Sequence, residues 1–228
     1  MPKVTVIMTV YNKPRWLREA IDSVVNQTIK DWELIIMEDN SPDPQVKMIL
    51  KEYENDSRIS IYYSDVTEED RYKTARYATL INEAVMEHSG GDYISYLPDD
   101  DIFYPKRLEI MCAYLDENPD IDIIYGSLHN IDADGNEAGS RMAEDVLEFA
   151  FDKVDHNAVM HRRKAFFVVG GWEDNYGAWG GADSYFWRRL NEAGYKFYPV
   201  PEFVGGKRYH ENSVQWLMSN GRWPANPN

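Results

Sequence analysis

The chain has 228 residues, of which 43% are hydrophobic, which is enough for one domain or for one ligand-binding half with a smaller appended half. Its net charge of −15 argues against nucleic acids and anionic lipid surfaces as partners, because both are bound through basic patches. The only cysteine, Cys112, cannot form an internal disulfide, and its apolar neighbours predict a buried, inert thiol.

The first half of the chain alternates short apolar runs with amphipathic segments. Strands are predicted at residues 4–8, 34–37, 59–63, 93–97 and 121–125, and helices at 14–27, 44–53, 71–86 and 104–115. This alternation predicts an α/β fold in which helices cover a largely parallel central sheet. Ligands bind such sheets beyond the carboxyl ends of the strands, where the loops converge.

The pattern becomes looser after about residue 130. Residues 132–136 (Asp-Ala-Asp-Gly-Asn) predict a tight hairpin turn, since the twelve-residue ligand pattern of a calcium loop is missing. Strands are predicted at 159–161 and 197–200, and helices at 163–169 and 184–193. The tail from Leu217 is rich in Asn, Pro and Gly, and we expect it to be loosely ordered.

Neither a membrane span nor a signal peptide is predicted. No run approaches ~18 apolar residues, and the opening Met-Pro-Lys leads at once into an apolar β-type run. We therefore expect a cytoplasmic protein.

Asp99, Asp100 and Asp101 stand directly after the fourth predicted strand, and Tyr11 and Asp39 follow the first and second strands. Adjacent carboxylates repel one another, so three of them at a strand end are unfavourable without a cation. Their oxygens suit magnesium, manganese or calcium, which would bridge the oxygens of a phosphorylated ligand. A solvated loop that opens the next helix is the alternative, but the position after a strand of an α/β sheet favours the cation site.

Two common nucleotide-binding motifs are absent from the chain. There is no G-x-G-x-x-G after the first strand, which argues against a dinucleotide oxidoreductase, and no G-x-x-x-x-G-K-[ST], which argues against a P-loop nucleotidase. Without a glycine-rich cradle, we expect a diphosphate to be neutralised by the cation and by basic side chains such as Arg71, Lys73 or Arg76.

Several sequence blocks, in order, resemble the GT-A-fold glycosyltransferases of family 2. The blocks are VTVIMTVYN at 4–12, IDSVVNQT at 21–28, WELIIMEDNS at 32–41, the Asp triplet, VVGGW at 168–172 and GADSYFWRRL at 181–190. The resemblance spans about residues 3–200, and Arg71 with RYATLIN at 76–82 is similar to the spore-coat polysaccharide synthesis members. It implies a GT-A fold with a nucleotide-sugar-binding half at 1–128 and a smaller acceptor-binding, catalytic half at 129–228.

The resemblance also implies a nucleotide site. By position, Thr9 and Tyr11 would wall the base, and Asp39 would accept the imide hydrogen of a uracil or thymine, as a carboxylate can. Arg71 would face the diphosphate or the base, and Asp99 would hold the ribose. A UDP-sugar and a dTDP-sugar therefore both remain possible donors.

A metal site is implied beside the nucleotide, with Mn²⁺ or Mg²⁺ as the cofactor. Asp-x-Asp spacing favours Asp101 as its ligand, whereas the spore-coat pattern favours Asp100. His210, in the block KRYHENS at 207–213, would complete the metal site or touch phosphate. A structural histidine is the alternative for His210.

For the general base, the family pattern points to Asp183. The chain departs from that pattern, since members often carry Glu-Asp where this chain has Ala182-Asp183. An N-cap of the following helix is the alternative for Asp183, and Glu173 and Asp174 are reserve candidates. The family reaction inverts the anomeric carbon, with the base deprotonating an acceptor hydroxyl.

Aromatic residues cluster in the second half. Trp172 and Trp179 would stack on a sugar or pack in the core, and His161 would pack beside the acceptor. A second group comprises Trp216 and Trp223.

We therefore predict a metal-dependent, inverting glycosyltransferase that uses a UDP- or dTDP-sugar donor and a carbohydrate or other hydroxyl acceptor. A sugar-nucleotide nucleotidyltransferase is one alternative, although it would need a glycine-rich loop where residues 9–13 have none. A non-catalytic nucleotide-sugar-binding module is the other.

Overall fold

The computed structural model describes residues 2–211, 213, 216–217 and 220–221. Trp223 and most of the tail expected to be loosely ordered lie outside the described residues. The strands are β1 (Val4–Val10), β2 (Trp32–Glu38), β3 (Ile59–Tyr63), β4 (Tyr93–Tyr96), β5 (Ile102–Phe103), β6 (Ile123–Ile131), β7 (Glu137–Arg141), β8 (Val159–Arg162) and β9 (Phe197–Arg208). The α-helices are α1 (Pro14–Val25), α2 (Pro44–Lys51), α3 (Glu68–Arg71), α4 (Arg76–Glu83), α5 (Arg107–Glu117), α6 (Arg163–Val168) and α7 (Ala182–Glu192).

Four strands form a parallel half-sheet in the order β3-β2-β1-β4. The apolar runs of β1 and β2, in the middle of this half-sheet, are buried on both faces because helices cover the sheet. Helix α1 contributes one apolar stripe to this core, formed by Trp16, Leu17, Ala20, Ile21 and Val24. All four strands point the same way, so the loops after β1, β2 and β4 meet at one edge.

The other half of the sheet is mixed. Strand β8 lies antiparallel between β4 and β6, β9 runs parallel to β6, and β5 adds an antiparallel pair to β9. The predicted α/β class with a helix-covered central sheet is therefore confirmed, and the sheet changes from parallel to mixed after β4. The predicted border at residue 128 lies within β6, so one continuous sheet joins the two predicted halves.

The prediction of one continuous helix at 71–86 is wrong. The chain forms α3, leaves the helix, and re-enters it as α4, which ends in a π-helical turn at Ala84–His88. The interruption has a tertiary cause: Thr74 forms a bridge with Asn175, and the Ala75 amide donates to the Asp174 carbonyl at 2.7 Å. These contacts replace the intrahelical hydrogen bonds that a continuous helix would make.

Strand β9 is much longer than the predicted 197–200. It pairs with β6 through Arg208, and a register shift between Val200 and Phe203 leaves Pro201 in a bulge. The prolines near residue 200 favour an early strand end in sequence, but in a bulge Pro201 removes no ladder hydrogen bond. Strand β6 is correspondingly displaced from 121–125 to Ile123–Ile131.

Helix α5 begins at Arg107 rather than 104, because the chain still follows β9 at Tyr104, whose amide donates to the Val204 carbonyl at 3.0 Å. A Cβ at Gly205 would lie 2.6 Å from the Ile102 carbonyl oxygen, so this pairing requires glycine there. The hairpin predicted at 132–136 is confirmed, with the Asp132 amide donating to the Asn136 carbonyl at 2.9 Å. Cys112 is buried, as predicted.

Within the part of the chain that the structure describes, no helix is both long and apolar enough to cross a membrane.

Candidate functional site

The loops after β1 and β4 are joined directly at the carboxyl edge of the sheet. The Tyr11 amide donates to Oδ2 of Asp99 at 2.9 Å, and the Asn12 amide donates to Oγ of Ser41 in the loop after β2. Asn12 and Asn40 have positive φ angles of 55° and 54°, which turn the chain sharply after β1 and β2. The crevice expected from the strand order therefore collects Tyr11, Asp39 and Asp99.

Asp39 is held by two arginines. Its Oδ2 accepts a hydrogen bond from Arg71 Nη1 at 2.5 Å, and its Oδ1 accepts from Arg76 Nη2 at 2.6 Å and Nε at 3.0 Å. Arg71 is 2% exposed, and its guanidinium lies 3.9 Å from the ring centroid of Tyr11. Arg71 thus lies beside Tyr11 and Asp39, the residues that the resemblance implies for the base. Thr9 lies nearby on β1, half-buried.

Two of the three adjacent aspartates share one partner, and the third has partners of its own. Asp99 accepts from the Lys13 ammonium at 3.0 Å, and Asp100 accepts from the same ammonium at 2.7 Å. Asp101 turns inward, where Oδ1 accepts from the Arg208 amide at 2.7 Å and Oδ2 accepts from Asn157 Nδ2 at 2.9 Å. Only Asp99 and Asp100 therefore share a partner.

Burial and charge act differently on these carboxyls. Burial raises the pKa of Asp99, although Lys13 opposes the shift. Burial would also raise the pKa of Asp100, but Lys13 and a hydrogen bond to His210 outweigh it and hold that pKa below its usual range. For Asp101, burial, Asp100 and the nearby Asp155 together raise the pKa to about 8. Asp100 is therefore the member of the triplet that is stabilised as an anion.

His210 reaches the triplet from the residues that follow β9. Its Nε2 lies 2.8 Å from Asp100 Oδ2, and its ring packs on Trp16 with centroids 3.8 Å apart. Trp16 Nε1 donates in turn to the Ala133 carbonyl in the hairpin turn after β6. Helix α1 and that turn together hold the imidazole against Asp100.

Asp100 and His210 could hold a divalent cation if the Lys13 ammonium, which contacts the same Asp100 oxygen, moved aside. Asp100 and His210 bring an oxygen and a nitrogen to one place, and Mg²⁺ commonly takes one or two protein carboxylates and completes its shell with substrate phosphates. In the described residues, no cluster of three or more His, Cys, Asp or Glu side chains is arranged as a ready-made metal cage. Asp101 is engaged elsewhere by Arg208 and Asn157, so Asp100 is the better placed of the two candidate ligands.

Asp183 lies in the first turn of α7, and the helix is capped by Gly181. The predicted alternative, that Asp183 is the N-cap, is therefore not what the structure shows. Its Oδ1 accepts from the Ser184 amide at 2.8 Å, and its Oδ2 lies 3.5 Å from His156 Nδ1. The side chain is 21% exposed, so a solvent-borne acceptor can reach it.

The reserve candidates are held in local hydrogen bonds. Glu173 Oε1 accepts from Asn175 Nδ2 at 2.6 Å, and Asp174 Oδ2 lies 3.4 Å from the Thr79 hydroxyl. Both belong to the segment that interrupts the helix after Arg71.

The aromatic residues predicted to contact a sugar or the acceptor differ in how deeply they are buried. Trp172 is 3% exposed and stacks on Phe186, while its Nε1 donates to the Tyr96 hydroxyl at 3.2 Å. His161 also contacts the Tyr96 hydroxyl, at 2.7 Å, and burial lowers its pKa to about 4. Trp172 and His161 are thus core residues, whereas Trp179 is half-buried and lies 6.0 Å from the Tyr77 ring.

Sequence reasoning missed Lys13 and His156. Lys13 has one usable signal, because it follows the first strand in the same loop as Tyr11. His156 lies in the loosely patterned stretch before β8, and no local pattern marks it. Its place is set by a 3₁₀ turn at His156–Ala158 and by the strand pairing of β8.

Comparison with known proteins shows the family and the fold of the chain. The sequence model of the Glycosyl transferase family 2 matches residues 5–172. The chain is 40% identical over 211 residues to Protein CgeD of Bacillus subtilis (strain 168), covering 89% of this chain and 49% of CgeD. It is 31% identical over 206 residues to the putative glycosyltransferase EpsE of the same organism, covering 88% of this chain and 71% of EpsE.

Solved structures show the same fold. TarS 1–349 of S. aureus in complex with UDP superposes with a TM-score of 0.73 at 14% identity, covering 92% of this chain and 61% of that one. The complex of the same fragment with UDP-GlcNAc gives a TM-score of 0.72 at 14% identity, with 92% and 60% covered. The chain thus spans about half the length of CgeD and about three-fifths of TarS 1–349. The predicted GT-A-like fold is confirmed, and with the family model matching well over half of its length, the chain belongs to glycosyl transferase family 2.

Proposed function

We propose that the chain transfers a sugar from a UDP-sugar to an acceptor hydroxyl with inversion at the anomeric carbon. One observation carries the proposal: the turn from Asp155 to Asn157 connects Asp183, through His156, with the Asp triplet, through the Asn157–Asp101 hydrogen bond. One short turn thus links a partly exposed carboxylate, Asp183, to the third member of the buried Asp triplet. The UDP and UDP-GlcNAc complexes of TarS support uracil as the base, and dTDP remains the alternative nucleotide.

The nucleotide would lie across the loops after β1, β2 and β4. Thr9 and Tyr11 would flank the base, and Asp39 would accept its imide hydrogen. Because Arg71 and Arg76 hold both carboxylate oxygens of Asp39, this acceptor is fixed before the ligand arrives.

The diphosphate would lie beside Asp99 and Asp100. Asp99 would accept from the ribose, and Asp100 with His210 would hold Mn²⁺ or Mg²⁺. A cation held there supplies positive charge to the diphosphate as it leaves. Lys13 already places one positive charge at the same carboxylates.

Asp183 would act as the general base. It would take the proton of the acceptor hydroxyl as that oxygen bonds to the anomeric carbon, while the bond from carbon to the diphosphate oxygen breaks with its electron pair. The Ser184 amide keeps one oxygen of Asp183 in place during this step. The acceptor attacks from the face opposite the diphosphate, so the configuration inverts.

Calorimetric titration with UDP, dTDP, GDP and ADP, with and without Mn²⁺, tests the donor site. We expect UDP or dTDP to bind in a Mn²⁺-dependent way, and Asp39→Asn and Asp100→Asn each to weaken that binding at least about tenfold. Binding of none of the four nucleotides, or tight binding without the metal, would contradict the proposal.

Turnover of UDP-sugars, followed as UDP release, tests the catalytic assignment. Asp183→Asn should keep nucleotide binding within about twofold and lower turnover by about 10²-fold or more. Wild-type turnover in Asp183→Asn would reject Asp183 as the base. Nucleotide binding with no turnover in the wild type for any sugar tested would favour the non-catalytic binding module.

A further inference from the structure

Two consecutive side chains of one short turn reach two different parts of the candidate site. The 3₁₀ turn at His156–Ala158 is capped by Asp155, whose Oδ1 accepts from the Asn157 amide at 3.1 Å. His156 Nδ1 faces Asp183 Oδ2 at 3.5 Å, and Asn157 Nδ2 donates to Asp101. Because the turn is capped and joined to strand β8, the position of His156 is tied to the frame of the sheet.

Two aromatic rings lie beside the imidazole of His156. The plane of its ring is tilted by 26° from that of Tyr77, and the two ring centroids lie 6.4 Å apart. The ring also meets Trp172 edge-on, with centroids 5.7 Å apart and planes 86° apart. Tyr77 also contacts the helix that carries Asp183, because its hydroxyl accepts a hydrogen bond from the Ala182 amide at 3.0 Å in the first turn of α7. The ring nitrogen and the carboxylate therefore face each other from two rigid supports.

Four charged or titratable groups surround this imidazole. Burial lowers the pKa of His156, but Asp183 and Asp155 raise it more strongly, Lys207 opposes them, and the net shift is upward from 6.5. The Tyr77 hydroxyl stays neutral, because burial and the charge of Asp183 raise its pKa far above the neutral range. The carboxylates around His156 therefore favour the protonated imidazole.

Asp155 is not an alternative base. Its Oδ2 is paired with the Lys207 ammonium, its Oδ1 caps the turn, and its side chain is 7% exposed. Burial would raise its pKa, but the charge of Lys207 outweighs burial and holds that pKa below the usual range. Asp183 is three times as exposed, so the acceptor can approach only that member of the pair.

From this geometry we infer that His156 is a positioning residue for Asp183: it holds the carboxylate at Oδ2 while the Ser184 amide holds Oδ1. The inference rests on the proposed role of Asp183 as the base. The imidazole exchanges no atom with either substrate. Its effect is to hold Asp183 in an orientation from which a carboxylate lone pair can accept the proton of the acceptor hydroxyl.

The test compares His156→Gln with His88→Gln in the full chain. Glutamine retains a donor at position 156 but cannot carry the charge, and His88 packs on Tyr62 away from these residues. For His156→Gln we expect donor affinity, measured by UDP titration with Mn²⁺, to stay within about twofold and kcat to fall at least about tenfold. The donor KM should stay within about twofold while kcat falls, because a positioning residue acts on the transfer step rather than on binding. His88→Gln should match the wild type in every measurement.

The outcomes separate the two proposals. If Asp183→Asn abolishes turnover while His156→Gln keeps the wild-type kcat, the role of His156 is wrong and Asp183 remains the base. If His156→Gln loses donor binding along with turnover, His156 is structural and the positioning role is wrong. If Asp183→Asn turns over like the wild type, the proposed function fails, and the inference about His156 falls with it.

Discussion

The ammonium of Lys13 lies 2.7 Å from Oδ2 of Asp100 and 3.0 Å from Oδ1 of Asp99. Burial alone would lower the pKa of Lys13, but the two carboxylates outweigh it and raise that pKa, so the ammonium keeps its charge. The loop after β1 thus supplies the counter-charge that allows two adjacent aspartates to remain buried together after β4.

Replacing that charge should destabilise the protein in a way that a metal can reverse. Lys13→Met keeps the length of the stem but leaves the carboxylates facing each other, and we expect a loss of about 2–4 kcal/mol in the free energy of unfolding. Mn²⁺ should restore more stability to Lys13→Met than to the wild type, because binding to the folded state stabilises it. Urea unfolding with and without Mn²⁺ measures both effects. Lys47→Met, on the exposed side of α2, is the control, and an equal response to Mn²⁺ in both variants and the wild type would contradict the prediction.

Arg71 should not be replaceable by lysine. A lysine cannot donate from two nitrogens at once to the side chain and backbone of Asp39 or stack flat on Tyr11. We expect Arg71→Lys to lower the free energy of unfolding by about 1–3 kcal/mol and to weaken UDP binding measurably by calorimetry. Arg18→Lys, in an exposed pair with Glu52, should change neither quantity. Wild-type UDP affinity in Arg71→Lys would show that Asp39 does not need this support.

Asp100 and Asp101 should respond differently to the same change. Asp100→Asn removes the carboxylate that faces Lys13 and His210, and we expect Mn²⁺-dependent UDP binding to weaken at least about tenfold. Asp101→Asn should stay within about twofold, because an amide oxygen still accepts from the Arg208 amide. The amide of Asn157, whose Nδ2 faces Asp101 in the wild type, can rotate so that its Oδ1, unpartnered among the described residues, accepts from the new amide nitrogen. Calorimetry on both variants decides, and a larger loss in Asp101→Asn would make Asp101 the metal ligand.

His161 should make the fold sensitive to mild acid. In the folded chain burial lowers its pKa from 6.5 to about 4, so between these values the unfolded chain binds more protons. The contribution of His161 is therefore fully present above about pH 6.5 and is lost as the pH falls toward 4, to a total of about 3 kcal/mol.

His161→Phe tests this dependence. Over pH 4 to 6.5, its free energy of unfolding from urea titrations should fall less steeply with decreasing pH than that of the wild type. The comparison uses slopes, because loss of the hydrogen bond to Tyr96 changes the absolute stability as well. His88→Phe removes a half-buried imidazole elsewhere and should leave the slope unchanged. Equal slopes in wild type and His161→Phe would mean that folding does not lower the pKa of His161.

The sequence by itself determined the α/β class, the four strands of the parallel half-sheet and the placement of Tyr11, Asp39 and Asp99 at the ends of strands. These features follow from short-range patterns: apolar β-branched runs form strands, and amphipathic stripes cover them. Because parallel strands point the same way, residues that end them meet without any knowledge of the partners.

Only the tertiary structure decided how the residues that meet there are paired. Asp101 binds the backbone of Arg208, Asp100 meets Lys13 and His210, and His156 meets Asp183, in each case through contacts between distant parts of the chain. The break after Arg71 and the full length of β9 depend likewise on pairing with Asn175 and with β6. No local propensity encodes such contacts, because the hydrogen bonds and charges that stabilise them exist only once the strands and loops have assembled.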